Sequence, residues 1–269
     1  MSALRPRREI SRLAYGTAVA AGFCAVILSW HILSSAFADA GRSVLFPSPA
    51  KVASFIGSTL SGTPDTRIFL GDLQSSLIRV ATAFLLAVLT AVPVGVLAGS
   101  FRTVEAGIQP VSEFIRYVPV PALIPLLIVV FGIDESPKLA LIYIGTVFPL
   151  LLMVADEIRR VPQGLLEAGL TLGAGPWNAV VRILLPGAAP GIWDALRVCN
   201  GWAWSWLIVA ELIAANEGLG FRIVKAQRFL QTERIFFYLI VLGLIGLAFD
   251  LAFRAVGRWI FTWNHHSAR

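Results

Sequence analysis

The side chains able to do chemistry in this chain are few, and several lie inside long apolar stretches. Arg79, Arg197, Glu211, Asp250 and Arg254 interrupt runs otherwise made of Leu, Val, Ile, Ala and Phe. Near the centre of a bilayer an ionisable group costs at least ~2.5 kcal/mol on insertion scales, so each is a functional candidate by default. At roughly 1.5 Å of rise per residue, Arg79 sits about 9 Å from the end of its stretch and Arg197 about as far from the end of its own. Either could line a path for an anion, and either could snorkel its head to the interface. Glu211 reads as part of a gate or as a structural partner at a helix end. Asn200 could hydrogen-bond between helices or touch a substrate. Asp250 and Arg254, spaced i, i+4, pair most simply with each other. Trp202, Trp204 and Trp206 alternate by two, which scatters them around a helix and favours packing; Trp204 stays among the pathway candidates.

What is missing narrows the chemistry. The chain has no Gly-x4-Gly-Lys-Ser/Thr phosphate loop, and no nucleophile–base pair can be assembled, so neither a catalytic residue nor an ATP site is expected. Cys24 and Cys199 read as small buried hydrophobes. With His31, His265 and His266 scattered or terminal, there is no metal-ligand spacing and no disulfide framework, and no bound cofactor or metal is expected. The net charge of +6 comes without a basic block interleaved with aromatics, which argues against a nucleic-acid partner. In a membrane protein Lys and Arg collect in cytoplasmic loops.

The elements that must position these residues are membrane spans. Of 269 residues 57% are hydrophobic and 14% charged, whereas a soluble domain carries about 25% charged residues. Several stretches reach or approach the ~20 apolar residues that cross a bilayer, so the chain reads as an all-α polytopic membrane protein with about six transmembrane helices. Arg5, Arg7, Arg8 and Arg12 precede the first span, Leu13 to about Leu33, and hold a short arm, residues 1–12, in the cytoplasm. Ala36-Phe37-Ala38 resembles a signal-peptidase site, but the apolar run is nearer twenty residues than the ~7–15 of a signal peptide, so a retained span is expected. Residues 34–71 should be an outer, turn-rich segment carrying a short amphipathic piece, Ala50 to Leu60. The second span, Leu73 to Ala98, is followed by a cytoplasmic loop from Ser100 to Val118. The third segment, Val118 to Ile133, is broken by Pro119, Pro121 and Pro125. It reads as irregular, re-entrant backbone lining a cavity or as a kinked packing helix. The fourth, fifth and sixth spans are Leu139–Val154, Gly191 to about Ala215, and Phe236 to about Ile260. Residues 261–269 form a cytoplasmic tail. One transmembrane domain, residues 13–260, with both termini inside is expected in a bacterial inner membrane.

One loop looks built to hold a shape. Within residues 162–190, Pro162 can open a short helix whose apolar face is Leu165, Leu166, Ala168, Gly169 and Leu172. Gly173-Ala174-Gly175 should break it, and Pro176 should start a second helix with Trp177, Val180, Val181 and Leu184 on one side, ended by Pro186-Gly187.

The stretch resembles the EAA loop of ABC-importer permeases: Glu-Ala-Ala, three residues, Gly, nine residues, Ile, one residue, Leu-Pro. Here it is Glu167-Ala168-Gly169, then Gly173, then Ile183, Leu185 and Pro186, with Leu172 before the turn glycine and Gly169 replacing the second Ala. Ser76-Leu77-Ile78-Arg79, Pro93-Val94-Gly95, Arg116-Tyr117-Val118-Pro119, Leu196-Arg197, Ala203-Trp204, Glu211 and Gly218-Leu219-Gly220 resemble the permeases for nitrate, sulfonate, taurine and bicarbonate. The resemblance implies a type I importer fold with a cytoplasmic coupling-helix loop. It also implies two cytoplasmic ATPase subunits that carry the ATP and Mg, a second permease copy forming a homodimer, and a periplasmic binding protein that delivers a small anion. An ATP-independent secondary transporter or channel is the rival reading.

Overall fold

The computed structural model describes residues 11–263, and every regular element among them is a helix. The arginine cluster Arg5, Arg7 and Arg8 and the pair His265-His266 lie outside the described residues. In chain order the helices are α1 (Arg12–Asp39), α2 (Pro49–Leu60), α3 (Pro64–Ser100), α4 (Arg102–Arg116), α5 (Ile124–Phe131), α6 (Ser136–Arg159), α7 (Gln163–Thr171), α8 (Pro176–Ala179), α9 (Leu185–Ala214), α10 (Leu219–Arg228) and α11 (Thr232–Ile260). Five are long and apolar enough to cross a membrane: α1, α3, α6, the column from α8 into α9, and α11. A sixth crossing exists only if α4 and the piece Val120–Phe131, bent by 89° from each other, count as one.

The structure corrects four expectations. The segment 100–118 is not a loop: it forms α4, tied to α6 by Arg159, whose Nη1 donates to Glu105 Oε1 at 2.7 Å. The segment 34–71 is more helical than expected, since α1 runs on to Asp39 and α3 already begins at Pro64. The stretch 216–235, expected only as a connection between the fifth and sixth spans, contains α10. Most consequential, Pro186-Gly187 does not end a helix. Pro186 cannot donate to Arg182 four residues back, and its ring would clash there. The chain passes this point by widening into a π turn, Val180–Leu184, with Leu185 N–H donating to Val180 O, and continues as helix to Ala214. The broken third segment is as read. A 3-10 turn, Val120–Leu123, leads into eight residues of α5, which Gly132 ends at φ 80°.

The described chain divides into two compact units. One comprises residues up to Thr66 with Lys225–Tyr238. Its α2 has Ser48 as N-cap and Pro49 at the first helical position. Aromatic rings hold it together: Trp30 stacks on Phe236 at 5.1 Å, Phe46 meets Phe236 edge-on at 5.3 Å, and Trp30 Nε1 donates to Pro47 O at 3.0 Å.

The other unit, Arg67–Val224 with Leu239 onward, is built around α6. Its core joins Ala87, Ala91 and Val96 of α3 to Leu150, Val154 and Ile158 of α6 and to Ala188, Ile192, Ala195 and Cys199 of α9. Lipid is as apolar as leucine, so close van der Waals approach rather than water exclusion holds such helices. Small residues make the approach possible: a Cβ on Gly99 would stand 2.7 Å from Ala155 O and from Ile158 Cβ. Gly99→Ala should therefore destabilise the purified protein by roughly 1–3 kcal/mol. Gly107→Ala, whose new Cβ meets nothing within 4 Å, should be neutral or stabilising by up to about 1 kcal/mol. Paired thermal unfolding curves in detergent check both.

Candidate functional site

Two places bring the singled-out residues together, at opposite ends of the column formed by α8 and α9. The first is the hairpin before it. Pro162 caps α7, and Leu172–Ala174 close it: Ala174 N–H donates to Gly169 O and Gly173 N–H to Leu170 O, each at 3.0 Å, with Gly173 at φ 87°. This double closure needs a left-handed residue at its centre, which glycine supplies without strain. Glu167 is exposed, accepts from Gln163 Nε2 at 2.8 Å, and lies one turn before Thr171, whose hydroxyl donates to Glu167 O. Gly169 faces Ile183, where a Cβ would stand 2.1 Å from Ile183 Cδ1. Two motif positions thus touch, and an Ala at 169 fits only if the Ile183 side chain turns. Ala168 and Pro186 are exposed and Leu185 half-buried. Leu166 packs inward on the core, while Leu165, Leu172, Trp177 and Val181 are 55, 88, 65 and 55% exposed.

The second place is a buried hub of charge. Asp72, Ser76 and Arg79 lie at i, i+4 and i+7 on α3, hence on one face. Arg79 is 3% exposed. Its Nη1 donates to Glu211 Oε1 at 2.7 Å and to Glu217 O at 2.8 Å; its Nε and Nη2 donate to the two oxygens of Glu135 at 2.5 and 2.8 Å. Glu211, on the last turn of α9, also accepts from Ser76 Oγ at 2.7 Å and from Gly220 N at 2.8 Å. The first N–H groups around α10, which have no partner inside a helix, go to side chains of other helices. Gly218 N donates to Asp72 Oδ1, and Leu219 N to Ser76 Oγ, both at 2.9 Å. Gly218 has φ 123°, and a Cβ there would stand 2.4 Å from a Glu211 oxygen, so both conformation and space call for glycine. Arg222 returns to Asp72, and Lys138 Nζ donates to Glu135 Oε1 at 2.6 Å.

The remaining candidates do not join this hub. Arg197 stands 3.5 Å from Asp194 and 3.7 Å from Asp250, and Asp250 pairs with Arg254 at 2.8 Å as the spacing suggests. Asn200 and Trp204 are both 7% exposed. Trp204 packs on Phe249, its ring centroid 5.7 Å away, and Trp206 fills the space over Gly145. Sequence reasoning named Arg79 and Glu211 but passed over Asp72, Glu135, Lys138, Glu217 and Arg222. The face shared by Asp72, Ser76 and Arg79 was the available signal. Glu135 and Glu217 sit in turns, and Lys138 and Arg222 in the first turns of α6 and α10, where no periodicity points at them.

Glu135 lies just before α6, and the Arg79 guanidinium, more than Lys138, holds its carboxyl down to about 2 from an ordinary 4.5. A depressed carboxyl stabilises fully above its unfolded value and is lost as pH falls through its folded one. The difference in melting temperature between the unsubstituted chain and Glu135→Gln should thus be constant above pH 4.5 and vanish as pH falls to about 2. Glu211→Ala, which leaves Arg79, the Ser76 hydroxyl and the Gly220 N–H short of an acceptor, should cost about 3–5 kcal/mol in unfolding measurements at neutral pH.

Known proteins resemble this chain along most of its length. The family described as binding-protein-dependent transport system inner membrane component matches residues 91–262. The taurine transport system permease protein TauC of Escherichia coli (strain K12) is 36% identical over 192 residues, 71% of this chain and 70% of that one. The putative aliphatic sulfonates transport permease protein SsuC of Bacillus subtilis (strain 168) is 31% identical over 261 residues, 96% of this chain and 92% of that one. Among solved structures, a chain of the MetNI methionine ABC transporter in inward-facing conformations superposes with a TM-score of 0.66 at 20% identity, over 74% of this chain and 99% of that one. That last likeness is one of fold.

Proposed function

This chain belongs to the family of binding-protein-dependent transport system inner membrane components, and from that premise we propose that it is the permease of an ATP-driven importer for a small anion. It is a multi-pass membrane protein and a translocation subunit. Taurine and aliphatic sulfonates, named for two relatives, carry a sulfonate group. Nitrate, bicarbonate and similar organic acids share its size and charge and complete the proposed range.

The observation that carries the proposal is the surface of the hairpin. Leu165, Leu172, Trp177 and Val181 are more than half exposed on a turn closed at both ends and continuous with α9. Apolar surface grouped in this way marks a site for a partner. The partner is a cytoplasmic ATPase, which brings its own ATP and Mg. Glu167 bonds across the contact, and Ala168, Gly169 and Gly173 allow close approach. Two ATPases would serve two copies of this chain, with a binding protein delivering cargo at the other face. Both termini and the hairpin then lie in the cytoplasm. In the rival reading, a secondary transporter or channel, uptake needs no nucleotide.

Reconstituted vesicles separate the two: uptake should require both ATPase and ATP. Glu167→Lys should reduce that uptake by about tenfold or more, as a loss of about 1.4 kcal/mol at the contact would, while the chain still inserts. Uptake at the original rate would remove Glu167 from the contact.

A further inference from the structure

The hub holds two buried cations that share one exposed anion. The side chains of Arg79 and Lys138 are 3% and 5% exposed; that of Glu135, which joins them, is 54% exposed. Arg79 is held besides by Glu211 and by the carbonyl of Glu217. Glu135 sits in the turn between α5 and α6, three residues after Gly132 with its φ of 80°, and is the member of the three that reaches solvent.

The two edges of the Arg79 guanidinium have different partners. Nη1 is committed to Glu211, which is wholly buried, and to a backbone carbonyl. The Nε–Nη2 edge presents two N–H groups side by side, the fork that any two-oxygen anion fits. Lys138 Nζ reaches the same carboxylate oxygen that Nη2 does. Lys138 also lines a narrow cleft with Leu141, Ala210 and, from α5, Ile124 and Leu127. Irregular backbone such as that before α5 is tolerated at membrane depth where it is buried in protein or lines a cavity.

We propose that Arg79 and Lys138 form a subsite for a small oxyanion, a sulfonate, carboxylate or bicarbonate, and that Glu135 is its resident occupant, displaced when substrate arrives. The proposal rests on the importer reading above and gives that reading a place in the membrane where charge is recognised. With Glu135 swung out, two cations face the one carboxylate of Glu211, and a single monoanion restores neutrality. Glu217, 3.9 Å from Arg79 and 59% exposed, is too distant and too solvated to do so. In a medium of low dielectric constant that imbalance is felt far more strongly than at a surface. An anion of the right size thus exchanges for a carboxylate of the same geometry, and neutral solutes gain nothing by entering.

The test is equilibrium binding of methanesulfonate to the full chain in nanodiscs, with sodium chloride held constant. A resident occupant present nine-tenths of the time weakens apparent affinity about tenfold, so Glu135→Gln should bind methanesulfonate about tenfold more tightly than the unsubstituted chain. Adding Lys138→Gln should abolish the gain. Glu135→Asp, which keeps the charge but withdraws the carboxylate by one methylene, covers the case in which Glu135→Gln fails to fold, and should still tighten binding. Unchanged affinity in the folded Glu135 variants, or a gain that survives loss of Lys138, overturns the subsite. Uptake by the assembled complex reports separately. ATP-driven uptake without tighter binding sinks the subsite alone; tighter binding without ATP-driven uptake supports the subsite and sinks the importer reading.

Discussion

A guanidinium withdrawn from water must be met by hydrogen bonds and counter-charge, because an uncompensated buried ion costs several kcal/mol. Arg79 imposes that demand on everything near it. It draws the last turn of α9 to α3 through Glu211, the turn before α6 through Glu135, and the turn before α10 through the carbonyl of Glu217. Glu211 in turn must satisfy its own oxygens, and it does so with Ser76 and the backbone of Gly220. The path of residues 216–222 follows from these bonds and not from any propensity of its own.

The packing of the helices is a weaker constraint by comparison. Core contacts among α3, α6 and α9 are made by alanine, glycine, valine and leucine, and lipid could replace many of them at little cost. They fix how close the helices come. The hub fixes which ends meet and in what register, since a one-residue slip of α3 would rotate Asp72, Ser76 and Arg79 away from their partners by about 100°. Directional polar bonds specify and small residues permit, a division of labour expected where hydrophobic burial discriminates poorly.

Much of this was legible in the sequence, for identifiable reasons. Spans announce themselves because the bilayer forces long apolar runs. The hairpin was legible because Pro162, Gly173 and Pro176 each have a specific backbone use there, and each takes it up. The continuation through Pro186 was not, because proline in mid-sequence reads as a stop, and only the helix next to it shows whether a wider turn can absorb the lost bond. The helix α4 was missed because polar residues and Pro110 in a short stretch look like a connection. The hub was half-legible. The charges inside apolar runs drew attention, but Glu135 and Glu217 lie in turns, and distances of 56 and 138 residues from Arg79 carry no pattern a reader could follow.

The column from Pro176 to Ala214 has one place where its backbone is weakest. At its far end Glu211 is pinned by three hydrogen bonds. In its middle, Ile192, Ala195 and Cys199 are packed in the core. Between that packing and the hairpin, the helix contains a π turn and then Leu185-Pro186-Gly187-Ala188-Ala189-Pro190-Gly191. Two prolines four residues apart leave the carbonyls of Arg182 and Pro186 without their usual donors, and glycine adds about 1 kcal/mol of helix weakness at each position. Val180, Leu184 and Ala188 pack this stretch into the same core, so its weakness lies in its backbone bonds and not in its packing. The hairpin is therefore joined to the spans by a continuous but compliant helix. A displacement at the hairpin passes along this helix to the core at Ile192, Ala195 and Cys199 and on to the hub, and the π turn and the two prolines make its first part easier to bend than an unbroken α-helix.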